Sequence, residues 1–373
     1  MSFYNTCLIQ VYKVADLKIL ILGGNFNNTG GTERVGSMLA NGLSEADYEI
    51  VLASISGGNK PFFPLNEEIK VVSLFDTTGR TLYRTHSIIK RIRKLLKEED
   101  IDTLIVVETM SVLFTLPAII GLSVKHICWE HFNFNNDLGK SGRRLARQLA
   151  ARYCDSVVTL TERDKSYWLQ GTHHKSQITA IANPCPFPIQ KYTKEENTKI
   201  VLAVGRLTYQ KGFDMLLEAW AKVNLSMPDW KLKIVGEGED KAKLIDFIEK
   251  NKLTNSIELV GNTNDVSQYY GQAEIFCLSS RFEGFGMVLI EALAFGIPIV
   301  SFDCEVGPAE ILEDTGSILV PQNDISEFAL SLIDLMQDDE RRKMISIKSK
   351  EKAKIYQPEN IIDQWISLLK SLP

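Results

Sequence analysis

The stretch Ser279–Phe302, SSRFEGFGMVLIEALAFGIPIVSF, decides how this chain folds. It follows an apolar run, EIFCL, that reads as a buried strand. Glu283, Gly284, Phe285 and Gly286 make a glycine-bearing loop. Met287 to Phe295 is built of helix formers, and Gly296 and Pro298 stop it. IPIVSF is a second buried strand. Strand, loop, helix and strand in this order are one unit of a parallel sheet. Glycine loops and helix N-termini present free backbone N–H groups, so the loop is a place to hold an anion. Glu283 stands before the helix and Glu291 in its second turn, with seven residues between them. A carboxylate beside an anion site is suited to hydroxyl groups rather than to phosphate. Phosphate flanked by polyol is the pattern of a nucleotide sugar. A plainer reading stays open from this stretch alone: Glu283 as a loop acid favoured by the helix dipole, and Glu291 as an ordinary exposed helical residue.

The chain has 373 residues, a length for two domains rather than one core. Hydrophobic residues at 45% and charged ones at 24% are those of a globular protein, and a formal net charge of -5 argues against a general nucleic-acid-binding role. No apolar run is long enough to span a bilayer. Residues 1–16 lack the basic start and long apolar core of a signal peptide and read either as an arm ahead of the first strand or as the product of an upstream translation start. The 6 cysteines are scattered without a Cys-x-x-Cys pair, the pattern of reduced, mostly buried thiols in a cytosolic protein.

Strand-like and helix-like runs alternate along the chain. LKILILGG, YEIVLASI, IKVVSL, DTLIVVE, KHICWEH, SVVTL and QITAIAN are the strands of a first half, separated by helices that include about 35–43, 82–97 and 140–153. NPCPFPIQKYTKEENTK breaks both periodicities and reads as a linker. KIVLAVG, KLKIVG, SIELVG, EIFCL, IPIVSF and GSILVP then repeat the alternation. The expected domains are 17–186, a linker at 187–198, and 199–357, with a terminal helix at 358–373. Two doubly wound domains of this kind bind ligands beyond the carboxyl ends of their strands, and two that face one another make a cleft.

Several residues fall at those strand ends. VGRLTYQKGF places Arg206 and Lys211 between a strand and a helix, beside Gly205 and Gly212, where two cations suit a phosphate better than a solvated surface. NNTGGTERV places Gly30 and Gly31 after the first strand; it is not the G-x-G-x-x-G dinucleotide pattern, and a plain tight turn remains the alternative. WEHFNF puts Glu130 and His131 at another strand end, where a lone histidine gains functional weight. No second His or Cys is spaced for a metal. Asp100 and Asp102 lie at the start of a strand, the wrong edge for a ligand.

On these motifs (TGGTERV, EH at 130–131, GRLTYQKG and FEGFGMVLIEALAFGIPIVSFD) the chain resembles the family-four retaining glycosyltransferases of the GT-B fold. The resemblance runs from about Leu17 to the end, and ANPCP and DCEVGPAEIL look most like bacterial enzymes of lipopolysaccharide, capsule or lipid-linked oligosaccharide synthesis. It implies that Arg206 and Lys211 hold the donor diphosphate and that Glu291 bonds the ribose hydroxyls. It implies that Glu283, with the backbone of Gly284, Phe285 and Gly286, holds the hexose, that His131 sits at the reacting face, and that Gly30 and Gly31 approach from the other domain. It also implies transfer with retention from a UDP-sugar to a glycan or lipid-linked acceptor, with no metal or other cofactor, and a terminal helix that crosses back onto the first domain. The basic helices 80–97 and 140–153, with Arg143, Arg144 and Arg147 in the second, suggest docking on an anionic membrane from the cytoplasmic side. Competing readings are a hydrolase using Glu283 and Glu291 as acid and base, a non-catalytic nucleotide-sugar-binding protein, and an epimerase of the same fold.

Overall fold

A computed structural model describes residues 17–78, 81–137, 139–190 and 198–372. The expected arm at 1–16, residues 191–197 of the expected linker, Cys7 and Arg80 lie outside the described residues. The first sheet is made of β1 (Lys18–Gly23), β2 (Glu49–Ser54), β3 (Lys70–Ser73), β4 (Thr103–Val107), β5 (Lys125–Trp129), β6 (Ser156–Thr159) and β7 (Gln177–Ala180). The second is made of β8 (Ile200–Val204), β9 (Lys231–Val235), β10 (Ile257–Gly261), β11 (Ile275–Leu278), β12 (Ile299–Phe302) and β13 (Ile318–Val320). Their orders are β3-β2-β1-β4-β5-β6-β7 and β10-β9-β8-β11-β12-β13. Both run 3-2-1-4-5-6 through their first six strands, the doubly wound Rossmann order, which reverses between the first and fourth strands. Pairing is parallel on both sides of each reversal: Ile19 faces Ile50 and Thr103, and Val201 faces Leu232 and Ile275.

The strands are covered on both faces, and their composition shows why. Ile19 to Leu22 of β1 and Leu104 to Val106 of β4 are fully buried, and only continuous apolar runs satisfy a parallel sheet with helices on each side. The chain divides into two compact units, Met1–Cys128 and Trp129–Pro373. In the first, the helix Gly31–Glu45 begins earlier than its apolar periodicity suggests. Gly30 is its N-cap and Gly31 its first residue, so the two glycines head a helix rather than lie in a free loop. The helix Thr81–Glu98 packs by Ile88, Ile92, Leu95 and Leu96.

In the second unit the helix Ser141–Tyr153 corrects an expectation. Arg143 and Arg147 are not surface cations: they are 1% and 2% exposed. The buried set is Arg143, Ala146, Arg147, Ala150 and Ala151, spaced 3, 1, 3 and 1, which is a helix face. Two arginines occupy that face because Glu130 lies beneath it, 3.1 Å from Arg147 Nε and 3.9 Å from Arg143 Nη1. Arg144 is exposed and bonds Asp137. The last helix, Pro358–Ser371, sets Trp365 against Trp129 with ring centroids 5.0 Å apart. The described cysteines, Cys128, Cys154, Cys185, Cys277 and Cys304, are all buried. No helix among the described residues is long and apolar enough to cross a membrane.

Candidate active site

Strands β8 and β11 flank the reversal of the second sheet, the place where such sheets bind ligands. Arg206 and Lys211 follow β8, and Glu283 follows β11. Arg206 is exposed. Lys211 ends a 3-10 turn, Tyr209–Lys211, and Gly212 turns the chain into the helix Phe213–Ser226 with φ +63°. A Cβ on Gly212 would stand 2.1 Å from the Ser279 carbonyl. Glycine is therefore required both by the left-handed backbone and by the closeness of the β11 end. Ser279 Oγ donates to the Lys211 carbonyl at 2.9 Å, and Arg281 N to the Gln210 carbonyl at 2.8 Å. These bonds tie the two strand ends together. Arg281 completes the tie with a bidentate bond to Asp214, at 2.9 and 2.7 Å, and lies over the Tyr209 ring.

Glu283 is 6% exposed. Its Oε1 accepts from Lys211 Nζ and from Ser280 Oγ, each at 2.6 Å. The expected diphosphate cation and the expected hexose carboxylate are thus one ion pair. Cys304 lies close to this pair; burial first, and then Glu283, push its thiol well up, so it stays protonated. Gly286, with φ +100°, is the N-cap of the helix Met287–Ala294. It supplies no side-chain cap; Leu289 N donates to the Gly286 carbonyl at 2.9 Å, and the N–H groups of Met287 and Val288 ahead of it are placed to meet an anion.

Glu291 is not an exposed helical residue. It is 6% exposed and accepts from Tyr270 Oη at 2.7 Å. Tyr270 is fully buried and stacks with Phe276 and Phe295, at centroid distances of 5.8 and 5.3 Å. Phe285 is buried, its ring edge-on to Tyr356 at 6.1 Å. A Cβ on Gly307, φ +103°, would fall 1.9 Å from the Phe285 carbonyl, so this backbone crossing also needs glycine.

His131 follows β5 and belongs to the same unit. It is 9% exposed and its ring meets Trp129 at 4.5 Å. Burial pulls its pKa down to about 3, so the imidazole is neutral. Its Nε2 is buried without a hydrogen-bond partner among the described residues. A Cβ on Gly284 would stand 2.1 Å from the His131 carbonyl, so the histidine loop and the loop behind Glu283 touch backbone to backbone.

In the first unit, Gly30 and Gly31 follow β1, which flanks that sheet's own reversal. A side chain at Gly31 would meet nothing within 4 Å, and one at Gly30 only the flexible end of Glu33. Packing against the described residues does not require glycine at 31.

Several residues were not singled out by sequence. Tyr270 is one. Gly236 and Gly238 are others: Cβ atoms there would stand 2.0 Å from the Gly205 carbonyl and 2.2 Å from the Leu207 carbonyl, and the G-x-G after β9 is the available signal. The DCEVGPAE segment also converges here. Glu305 accepts from Asn133 Nδ2 at 2.9 Å and Asn135 Nδ2 at 2.5 Å, while Glu310 accepts from the backbone of Glu162 at 3.0 Å.

The chain carries two Rossmann-like sheets, and comparison with known proteins names its class. The model described as Glycosyltransferase Family 4 matches residues 29–186, and that described as Glycosyl transferases group 1 matches residues 187–352. An uncharacterized glycosyltransferase of Haemophilus influenzae is 40% identical over 347 residues, covering 92% of this chain and 98% of its own. The amylovoran biosynthesis glycosyltransferase AmsD of Erwinia amylovora is 31% identical, over 94% of this chain and 99% of its own. The GalNAc-alpha-(1->4)-GalNAc-alpha-(1->3)-diNAcBac-PP-undecaprenol alpha-1,4-N-acetyl-D-galactosaminyltransferase of Campylobacter jejuni is 29% identical, over 92% and 95%. Among solved structures, Anabaena HepE in complex with UDP and glucose superposes with a TM-score of 0.79 at 19% identity, covering 95% of this chain and 100% of its own. The chain belongs to glycosyltransferase family 4 and has the GT-B fold.

Proposed function

We propose that the chain moves a hexose or N-acetylhexosamine, with retention, from a UDP-sugar to a glycan or lipid-linked acceptor in bacterial polysaccharide, lipopolysaccharide or oligosaccharide synthesis. One observation carries this reading: Lys211 and Glu283 pair at 2.6 Å at the sheet reversal, in front of a glycine-headed helix. Cation, carboxylate and free N–H groups in one place suit a diphosphate joined to a polyol. The polysaccharide context and the lipid-linked acceptor draw on the names of the Erwinia and Campylobacter relatives. UDP draws on the Anabaena complex.

In this reading Arg206, Lys211 and the N-terminus of Met287–Ala294 stabilise the nucleoside diphosphate as the sugar–phosphate bond breaks. Glu291 receives the ribose hydroxyls, already oriented by Tyr270. Glu283 and the peptides of Gly284 to Gly286 hold the hexose. The neutral His131 offers Nε2 near the transferred sugar, and Gly30 and Gly31 leave backbone room for diphosphate or acceptor. The acceptor oxygen attacks the face that the diphosphate leaves, and its proton passes to the departing phosphate oxygen. Arg206 and Lys211 take the part of a metal, so activity should survive EDTA. A loss restored by magnesium or manganese would contradict that. The hydrolase alternative is disfavoured, because Glu283 is tied to Lys211 and Ser280, and Glu291 to Tyr270. In this reading the donor-binding domain is 199–357, the acceptor-side domain is 17–186 and the enzyme works on the cytoplasmic face of the membrane.

The test is a thermal-shift screen of UDP-glucose, UDP-galactose, UDP-N-acetylglucosamine and UDP-N-acetylgalactosamine against their GDP and ADP counterparts. A ligand at 100 times its Kd adds about 2.7 kcal/mol. Stabilisation by GDP- or ADP-sugars and none by UDP-sugars would overturn the donor assignment.

A further inference from the structure

Residues 131–136 form neither helix nor strand, yet most of their backbone is held by buried ionisable side chains. Glu130 Oε1 accepts from the N–H groups of His131 and Phe132, both at 3.0 Å. Its Oε2 accepts from Arg147 Nε at 3.1 Å. The same guanidinium donates to the carbonyls of Asn133 at 2.9 Å, Phe134 at 2.5 Å and Asn136 at 3.2 Å. Asp164 Oδ1 accepts from Phe134 N at 2.8 Å. Glu130 and Arg147 are 1% and 2% exposed.

Burying an ion pair is a poor way to gain stability, since desolvation offsets most of the attraction. What a carboxylate and a planar guanidinium supply better than apolar packing is fixed geometry. The geometry fixed here has a target. The loop begins with His131, whose carbonyl lies against Gly284 with no room for a Cβ. A shift of this backbone moves the imidazole and presses on the peptide that follows Glu283.

We propose that Glu130 and Arg147 are positioning residues for the transfer reaction: the pair clamps the 131–136 backbone so that His131 and the Gly284 peptide meet the donor sugar in one fixed arrangement. The proposal rests on the reading of His131 and Gly284 as donor-sugar groups. Neither Glu130 nor Arg147 needs to touch the substrate.

The test uses Arg147→Lys, which keeps the positive charge but loses the fork that reaches three carbonyls, and Glu130→Gln, which keeps the shape but loses the charge. Arg152→Gln, an exposed change on the same helix, is the control. Amide hydrogen exchange by mass spectrometry reads the clamp. UDP release reads the chemistry, using whichever of the four UDP-sugars above the wild type turns over fastest. Either folded variant should exchange about tenfold faster at 131–136, with the helix Phe213–Ser226 unchanged. The kcat should fall about 10- to 100-fold, as expected for a displacement near 1 Å, with KM within about twofold; the control should match wild type. Unchanged exchange at 131–136 overturns the clamp whatever the kinetics. Faster exchange with wild-type kcat per folded molecule makes the pair a stability feature only and also overturns the proposal. A wild type that releases UDP from none of the four sugars defeats the transfer reading instead.

Discussion

Tyr270 Oη donates to Glu291 Oε2 at 2.7 Å, inside an aromatic stack that leaves the tyrosine no exposure. The bond fixes one carboxylate oxygen of Glu291 and so orients the other. A hydrogen bond to a charged group is worth about 1.5–3 kcal/mol. Tyr270→Phe keeps the stack and removes only the hydroxyl. UDP affinity measured by calorimetry should fall by about tenfold or more. Affinity equal to wild type would separate Glu291 from the nucleotide.

Arg206 and Lys211 should respond differently to truncation. Arg206 is exposed, so Arg206→Ala should leave the melting temperature unchanged. Lys211→Ala leaves Glu283 buried without its cation, with the Ser280 hydroxyl still donating to it, so it should also lower stability. Both should reduce transfer by roughly 100- to 1000-fold, as when a preorganised donor to a developing anion is removed. Near wild-type turnover of the folded double variant would remove the diphosphate assignment.

The strand–loop–helix order around Glu283 and the cations after β8 were legible because each depends on residues close in sequence. Parallel strands must be apolar throughout, and helices must start after the strand ends. The start of Gly31–Glu45 was not legible, because glycine is a poor helix residue and only the structure shows it in the first turn. In sequence Arg143 and Arg147 look like surface charge, since charge runs are usually solvated. Yet their spacing with Ala146, Ala150 and Ala151 is that of a buried face, and the acid that neutralises them, Glu130, was already noted for its position beside His131. The bonds from Asn133 and Asn135 to Glu305 join residues 172 and 170 positions apart. No local pattern announces such a pairing.

Two buried groups give stability an opposed dependence on pH. Burial pushes Asp164 from 3.8 up to about 7. The folded state then holds its proton where the unfolded state has lost it. Its contribution is fully present below pH 3.8 and lost as pH rises through 7. His131 is held down to about 3, so its contribution is present above its unfolded value of 6.5 and lost as pH falls toward 3. Asp164→Asn keeps an acceptor for Phe134 N and removes the titration. Each pH unit between the folded and unfolded values is worth about 1.4 kcal/mol, so the variant should gain several degrees of Tm on wild type between pH 5 and 8. A difference that stays constant across that range would mean Asp164 is ionised in the folded protein.

The membrane reading now rests on fewer cations than the sequence offered. In the second basic helix, Arg143 and Arg147 are buried against Glu130. In Thr81–Glu98, Arg84 and Arg91 lie over the Phe75 ring and donate to the carbonyls of Thr77 and Leu74. Arg93 donates to the carbonyls of Ala118 and Ile120. Lys90, Lys94 and Lys97 are exposed, and among the described residues Lys94 pairs with Glu98 at 3.5 Å. Ile120, whose carbonyl Arg93 holds, is 71% exposed. Each basic residue near an anionic bilayer contributes about 1 kcal/mol, so the three exposed lysines of this helix, together with the exposed Lys140, Arg144 and Arg152 of the other, give a weak attraction that salt screens within about 10 Å at 0.1 M. The protein should float with anionic vesicles at low salt and detach at high salt. Lys90, Lys94 and Lys97 changed together to Glu should sharply weaken flotation; no carbonyl bond of the arginines is disturbed, so the fold and UDP binding by calorimetry should be unchanged. A triple variant that floats as wild type does would move the contact away from this helix. A wild type that ignores anionic vesicles at low salt would make a soluble acceptor the better reading.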